Sequence, residues 1–112
     1  MNDELTGVEA ELRSNAISVE RVTVDDPIEL TYTTAFPGNS VNHQEMGRAL
    51  NTFIDLFEDG LEPRRIEATV LRSDEDIQGT WHAEPDWFEA LANYSISEEE
   101  FSARVLDTLE EP

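Results

Sequence analysis

Twenty-six Asp and Glu residues stand against seven positive ones in 112 residues; all seven are Arg, and there is no Lys. The formal net charge of −19 is carried along the whole chain. A block of like charge would mark a solvated tail. Here the acids interleave with apolar residues at helical and strand spacings, so each element has a wet face and a dry one. A chain this short holds a single domain with one modest core.

Such a charge pushes a compact state apart at low ionic strength. At molar salt the Debye length falls to roughly 3 Å, and most of that repulsion is screened. Using Asp and Glu in place of Lys also strips long apolar stems from the surface. Arg is retained because its planar fork holds a carboxylate bidentately and needs less hydration than an ammonium. The pattern resembles that of cytoplasmic proteins from salt-in halophiles, haloarchaea above all, and implies concentrated K+ as the solvent. A functional explanation competes: carboxylates imitating phosphates could occupy a DNA-binding partner, which requires acids on one face. Direct nucleic-acid binding is disfavoured, because its affinity comes from cations that neutralise phosphates.

The absence of Cys excludes disulfides, thiolate metal sites and a Cys nucleophile. Met1-Asn2-Asp3-Glu4 lacks the basic and apolar regions of a secretory signal. No apolar run approaches membrane-spanning length. The expectation is one soluble, cytoplasmic domain over residues 1–112. Within it, residues 1–15 form a loosely held N-terminal helix on Leu5, Val8 and Leu12, with a frayed end.

The central helix is the most fully specified element. Asn42 caps it with Glu45 three residues on, a capping box, and Val41 and Met46 are placed as a hydrophobic staple. Met46, Ala49, Leu50, Phe53, Ile54 and Phe57 follow the helical period. Gly60 supplies a left-handed position after the last turn, with Leu61 beyond it and Pro63 forbidding continuation. Gly47 near the apolar stripe costs about 1 kcal/mol against Ala, which close approach to a sheet would explain. A last helix starts with Ser97 as cap, Glu100 closing a box and Ile96 facing Phe101; its stripe is Phe101, Val105 and Leu109. A shorter helix before it starts at Asp86 with Glu89 and turns Trp87, Phe88, Leu91 and Ala92 inward.

Four segments read as strands. Ile17 to Val24 breaks its alternation near Glu20-Arg21, as at a bulge. Ile28 to Phe36 puts Ile28, Leu30, Tyr32 and Phe36 on one face. Asp25-Asp26-Pro27 is turn chemistry and joins these two as a hairpin. Arg64 to Arg72 and Ile77 to Ala83 make a second hairpin across Ser73-Asp74-Glu75-Asp76. A strand–strand–helix echo runs through Thr34-Ala35-Phe36-Pro37 and His82-Ala83-Glu84-Pro85. The fold class is α+β: an antiparallel sheet of about four strands in two hairpins, helices on one face, in the order α-ββ-α-ββ-α-α.

His43 and His82 are the only histidines. A metal or acid–base role would need them to converge, with Glu45, Glu84 and Asp86 as neighbouring carboxylates. No ligand spacing supports that, so neither a metal centre nor a cofactor is expected. Tyr32, Trp81, Trp87 and Tyr94 combine an apolar body with a polar tip, which suits ligand sites and interfaces. Trp81 reads as core and Trp87 as an interface residue, with Tyr94 and Phe88 weaker candidates. A ligand cleft would gather Tyr32, Trp81, His82 and Glu84. Glu98-Glu99-Glu100 lies where a helix dipole favours anions; it and Glu110-Glu111 read as solvated ends. Arg64-Arg65 reads as the ion-paired start of a strand. There is no Gly-x-Ser-x-Gly elbow and no Gly-rich phosphate loop, so no catalytic residue is assigned.

The stretch from Arg65 to Leu109, with Ile-Glu-Ala-Thr-Val-Leu at 66–71, Thr80-Trp81-His82 and Ile-Ser-Glu-Glu-Glu-Phe at 96–101, resembles small uncharacterised haloarchaeal proteins. That implies a source and no assigned activity. The element order is similar to that of type III secretion chaperones, small acidic dimeric binding proteins. Only two strands precede the central helix here, and fold does not fix function. The expected function is a non-enzymatic, halophile-adapted interaction domain, either a homodimer or one that takes a protein partner. The alternatives are a ligand binder or enzyme with a cleft near His82, and an acidic mimic of nucleic acid.

Overall fold

The computed structural model describes residues 3–112, with side chains from residue 7. Over these residues the elements are α1 (Asp3–Ser14), β1 (Ser18–Val24), β2 (Ile28–Thr33), α2 (His43–Glu58), β3 (Ile66–Ser73), β4 (Asp76–Ala83), α3 (Pro85–Ala92) and α4 (Glu98–Leu106). The fold is α+β in the expected order. Leu5's side chain and residues 1–2 of the expected N-terminal helix fall outside the described residues.

The strands form one sheet in the order β1-β2-β3-β4. Both predicted hairpins are antiparallel pairs. The sheet as a whole is mixed, because β2 and β3 run parallel, with Ile28 beside Ile66 and Thr33 beside Leu71. The connection explains the difference: α2 lies between them, and a helical crossover is what parallel neighbours require. The second hairpin therefore starts in the direction in which the first one ended. The strand–strand–helix echo is thus not a repeat related by a shift along the sheet.

Alternation along the strands sorts the two faces. Val22, Val24, Leu30, Tyr32, Val70 and Trp81 are buried on one side. Their neighbours Thr23, Glu29, Thr31, Glu67, Thr69 and His82 are exposed or half-buried on the other. All the helices contribute to the buried side. Val8 and Leu12 of α1, Leu50 and Phe53 of α2, Phe88 of α3 and Phe101 of α4 join the same core. The bulge in β1 lies between Val19 and Arg21, as the broken alternation predicts. β2 stops at Thr33, so Phe36 is not on its inner face; it is 47% exposed in the loop before α2.

The caps are built partly as expected. Asn42 Oδ1 accepts from Glu45 N at 2.8 Å, and Ser97 Oγ accepts from Glu100 N at 3.1 Å. Neither box closes reciprocally. Glu45 is buried, and its carboxylate accepts from Thr34 Oγ1 (2.6 Å) and Ala35 N (2.9 Å), pinning the end of β2 to α2. Glu100 instead pairs with Arg104 one turn on. α2 ends as predicted, with Gly60 at φ 122° and Leu61 N donating to Leu56 O. α3 begins at Pro85 rather than Asp86, and its Ala92 is exposed. Pro at the first helical position needs no N–H partner.

Two expectations for single residues fail. A Cβ at Gly47 would meet nothing within 4 Å, so close approach does not account for that glycine. Glu110 and Glu111 are not merely solvated ends. Glu110 bridges Thr80 through two 2.9 Å backbone hydrogen bonds, and Glu111 Oε2 accepts from Val41 N at 2.7 Å. The tail thus ties the edge of β4 to the start of α2. Leu109 lies beyond α4 and is half-buried.

Candidate functional site

Alternation along β4 separates the residues that a cleft near His82 would need. Trp81 faces the core and His82 the open side of the sheet. Trp81 and Tyr32 are buried, and Trp81 Nε1 donates to the Tyr32 hydroxyl at 3.3 Å. Burial pushes the Tyr32 phenol above its ordinary value, the Trp81 hydrogen bond opposes this, and the Glu45 carboxylate raises it further. A neutral phenol locked inside the core is packing with a satisfied polar tip. Tyr32 and Trp81 therefore do not share a cleft with His82 and Glu84.

On the open side a polar cluster does assemble. Cross-strand register sets Glu67 beside His82. The His82 Nε2 lies 3.6 Å from Glu84 Oε2, and its ring stacks on Trp87 with centroids 6.1 Å apart. Arg65 donates to Glu67 at 2.8 Å and also to Glu84. These contacts, led by that with Glu67, raise the Arg65 pKa and keep the guanidinium firmly cationic. The backbone N–H of His82 donates to Thr108 Oγ1, whose own proton lies between Val105 O at 2.6 Å and the His82 carbonyl at 3.1 Å, tying the strand to the end of α4. Glu84 thus has two cationic or potentially cationic neighbours, and Arg65 has two anionic ones. This is an ion-pair network whose members are occupied with one another. His43 is exposed at the start of α2 and takes no part in these contacts. Among the described residues no three His, Asp or Glu side chains are placed to hold a metal ion.

Tyr94 belongs to neither group. It follows α3 at φ 63° and is 93% exposed. It stands on the rim of a groove of about 720 Å³ between α2, α3 and the α3–α4 turn. Ile54 and Phe57 of α2, Leu91 of α3 and Ile96 of the turn form its apolar walls, with Phe88 behind them. Phe88 is fixed edge-on against Phe57 at 4.8 Å and against Phe101 at 5.0 Å. Asp55, Glu58, Glu89 and Glu98 bring carboxylates to the lining, which also takes in Asn51, Pro63, Ala92 and Ser97 and, among the described residues, no Arg or His.

The groove is the part that sequence reasoning missed. Its signal was present in α2, where the stripe leaves Ile54 and Phe57 half-buried while Leu50 and Phe53 are covered. It has apolar walls with an aromatic ring and carboxylates around them. Among the described residues, no helix is long and apolar enough to cross a membrane.

A family model described as a domain of unknown function, DUF8159, matches residues 1–112, and the chain belongs to that family. No curated protein and no solved structure matches it.

Proposed function

We propose that this DUF8159 domain is a non-enzymatic protein-interaction module of a salt-accumulating cytoplasm, working as a homodimer or with a protein partner. The observation that carries the reading is the groove between α2 and α3, with half-buried Ile54, Phe57 and Leu91 and the exposed Tyr94 on its rim. A chain with so many acids can cover its surface with hydrated carboxylates, yet here it leaves an apolar recess and an aromatic ring uncovered. Contiguous exposed apolar surface with a polar rim is the usual mark of an interaction site. The lack of Lys and the charge of −19 support the halophilic part of the reading.

Mass measurement in multimolar KCl tests it, combined with capture of partners from a lysate held at the same salt. A dimer, or a partner retained in proportion to folded protein, is the expected result. A strict monomer that retains nothing would overturn the reading.

A second reading, a small-ligand site, draws on the stacked His82–Trp87 pair and the adjoining Arg65 and Glu84. It requires a compound that changes Trp87 fluorescence and loses that effect in His82→Ala. The first reading is preferred because the polar side chains of that cluster already satisfy one another.

A further inference from the structure

Resting on the interaction reading, we propose that the α2–α3 groove takes an amphipathic helix of another protein, one with Arg or Lys flanking its apolar stripe. The walls set the apolar requirement. Ile54 and Phe57 lie one helical turn apart on α2, and Leu91 faces them from α3. A recess between two helices accepts a third in the helix-in-groove manner, with apolar anchors at i, i+3 or i+4, and i+7.

Charge selects the occupant. Asp55, Glu58, Glu89 and Glu98 line the groove, and none has an ion-pair partner among the described residues. Whatever fills the apolar floor brings its flanks against these carboxylates. A second copy of this chain would set the same four acids against their equivalents, and an acidic helix would do no better. Cationic flanks turn the same geometry into contact pairs. All four acids are exposed in the free protein, so concentrated salt suppresses long-range steering, and a contact pair escapes screening only so far as the docked helix covers it.

Tyr94 adds an aromatic contact at the rim. It occupies the left-handed position that ends α3: Ser95 N donates to Ala90 O and Tyr94 N to Leu91 O. Gly takes this position without strain, whereas an L side chain is held there at a cost. The chain uses Gly60 for the same job after α2 and the small Ala16 after α1. At α3 it places an exposed aromatic ring on the rim of the groove. A Tyr there offers a large contact area with few rotatable bonds and a π face for an arriving Arg.

The experiment uses three synthetic peptides titrated into labelled protein in multimolar KCl. The first is an amphipathic helix with a Leu stripe and Arg flanks. The second has the same stripe with Glu flanks, and the third keeps the Arg content but scrambles the apolar order. The Arg-flanked helix should shift amides within residues 51–58 and 88–98 and bind about tenfold or more tightly than either control. Tyr94→Gly should raise the melting temperature of the free protein yet weaken that helix about tenfold. Glu58→Arg combined with Glu89→Arg should move the preference to the Glu-flanked helix. Equal binding of the Arg- and Glu-flanked peptides, shifts mapping to the open sheet face, or unchanged affinity in Tyr94→Gly would each sink the proposal. If no peptide occupies the groove but the protein is dimeric in KCl, the groove assignment falls and the interaction reading stands. If the chain is a strict monomer that binds no peptide and retains no partner, both fall.

Discussion

A Cβ added at Gly79 would lie 2.7 Å from Val41 Cγ2 and 2.9 Å from the Glu110 carbonyl oxygen. The tail and the start of α2 close over this strand position, and one of the two obstacles is backbone. Gly79→Ala should therefore destabilise by about 1–3 kcal/mol, the usual cost of overpacking. Gly47 is the opposite case: regular helix, with open space where a Cβ would go. Gly47→Ala should stabilise by about 1 kcal/mol through helix propensity alone. Denaturant midpoints of the two variants check both signs in one assay, and equal shifts would contradict the geometry. Sequence alone cannot separate these glycines, because the difference lies in residues far along the chain. Glu45 makes the same point. Its spacing from Asn42 predicts a reciprocal cap, but its carboxylate accepts from Thr34 and Ala35 instead. Removing it in Glu45→Ala strands the buried Thr34 hydroxyl and frees the part-buried Ala35 N–H, and should cost about 1–3 kcal/mol. Glu45→Gln, which keeps an acceptor oxygen, should cost less in the same measurement.

Helix endings divide into those that residue type announces and those it hides. α1, α2 and α3 all finish with a residue at positive φ, namely Ala16, Gly60 and Tyr94. In each, the following N–H reaches back to close the last turn: Ile17 to Leu12, Leu61 to Leu56, and Ser95 to Ala90. Only Gly60 could be read in advance, because Ala and Tyr carry no preference for that conformation. Helix starts are more legible, since Asn42 and Ser97 act through their own side chains. The predicted consequence is that Ser97→Ala costs about 1 kcal/mol, whereas Glu100→Ala, which removes any box acceptor as well as the Arg104 pair, costs a few tenths. Glu100 contributes only an exposed pair with Arg104, so comparable losses in thermal unfolding would restore the closed box. The hairpins were legible from turn residues and alternation. The parallel contact between β2 and β3 was not, because local signals pair a strand with its sequence neighbour and say nothing about the next hairpin. The groove escaped for the same reason: Tyr94 stood out as a residue, but its walls come from two helices more than thirty positions apart in sequence.

The molecule as a whole titrates and responds to salt through different groups. Burial raises the pKa of Tyr32 from its ordinary 10.0. The folded state therefore keeps a proton that the unfolded chain gives up, so this contribution is fully present below about pH 10. It falls as the pH rises from there through the folded value. Tyr32→Phe should flatten the alkaline limb of a stability–pH curve, provided it is compared with wild type at neutral pH first. Salt acts on the carboxylates. Arg pairs hold Glu9, Glu67, Asp76, Glu84 and Glu100 among the described residues. With seven Arg against 26 acids, most acids among the described residues are left outside these pairs. Their mutual repulsion should make far-UV circular dichroism and melting temperature rise steeply as KCl is added. The shape of the rise identifies the cause. Debye screening is nearly complete by about 1 M, where its range is roughly 3 Å. A plateau there would mean that repulsion alone is being relieved, as for any highly charged domain. A continued rise into multimolar KCl would mean that the carboxylate-covered surface is matched to concentrated salt, and that binding partners should be sought at its apolar and aromatic exceptions. A flat curve would show that the acids do not oppose folding even in dilute buffer. Halophilic adaptation would then be withdrawn, and the carboxylates themselves would become the surface on which to look for a cationic or nucleic-acid-binding partner.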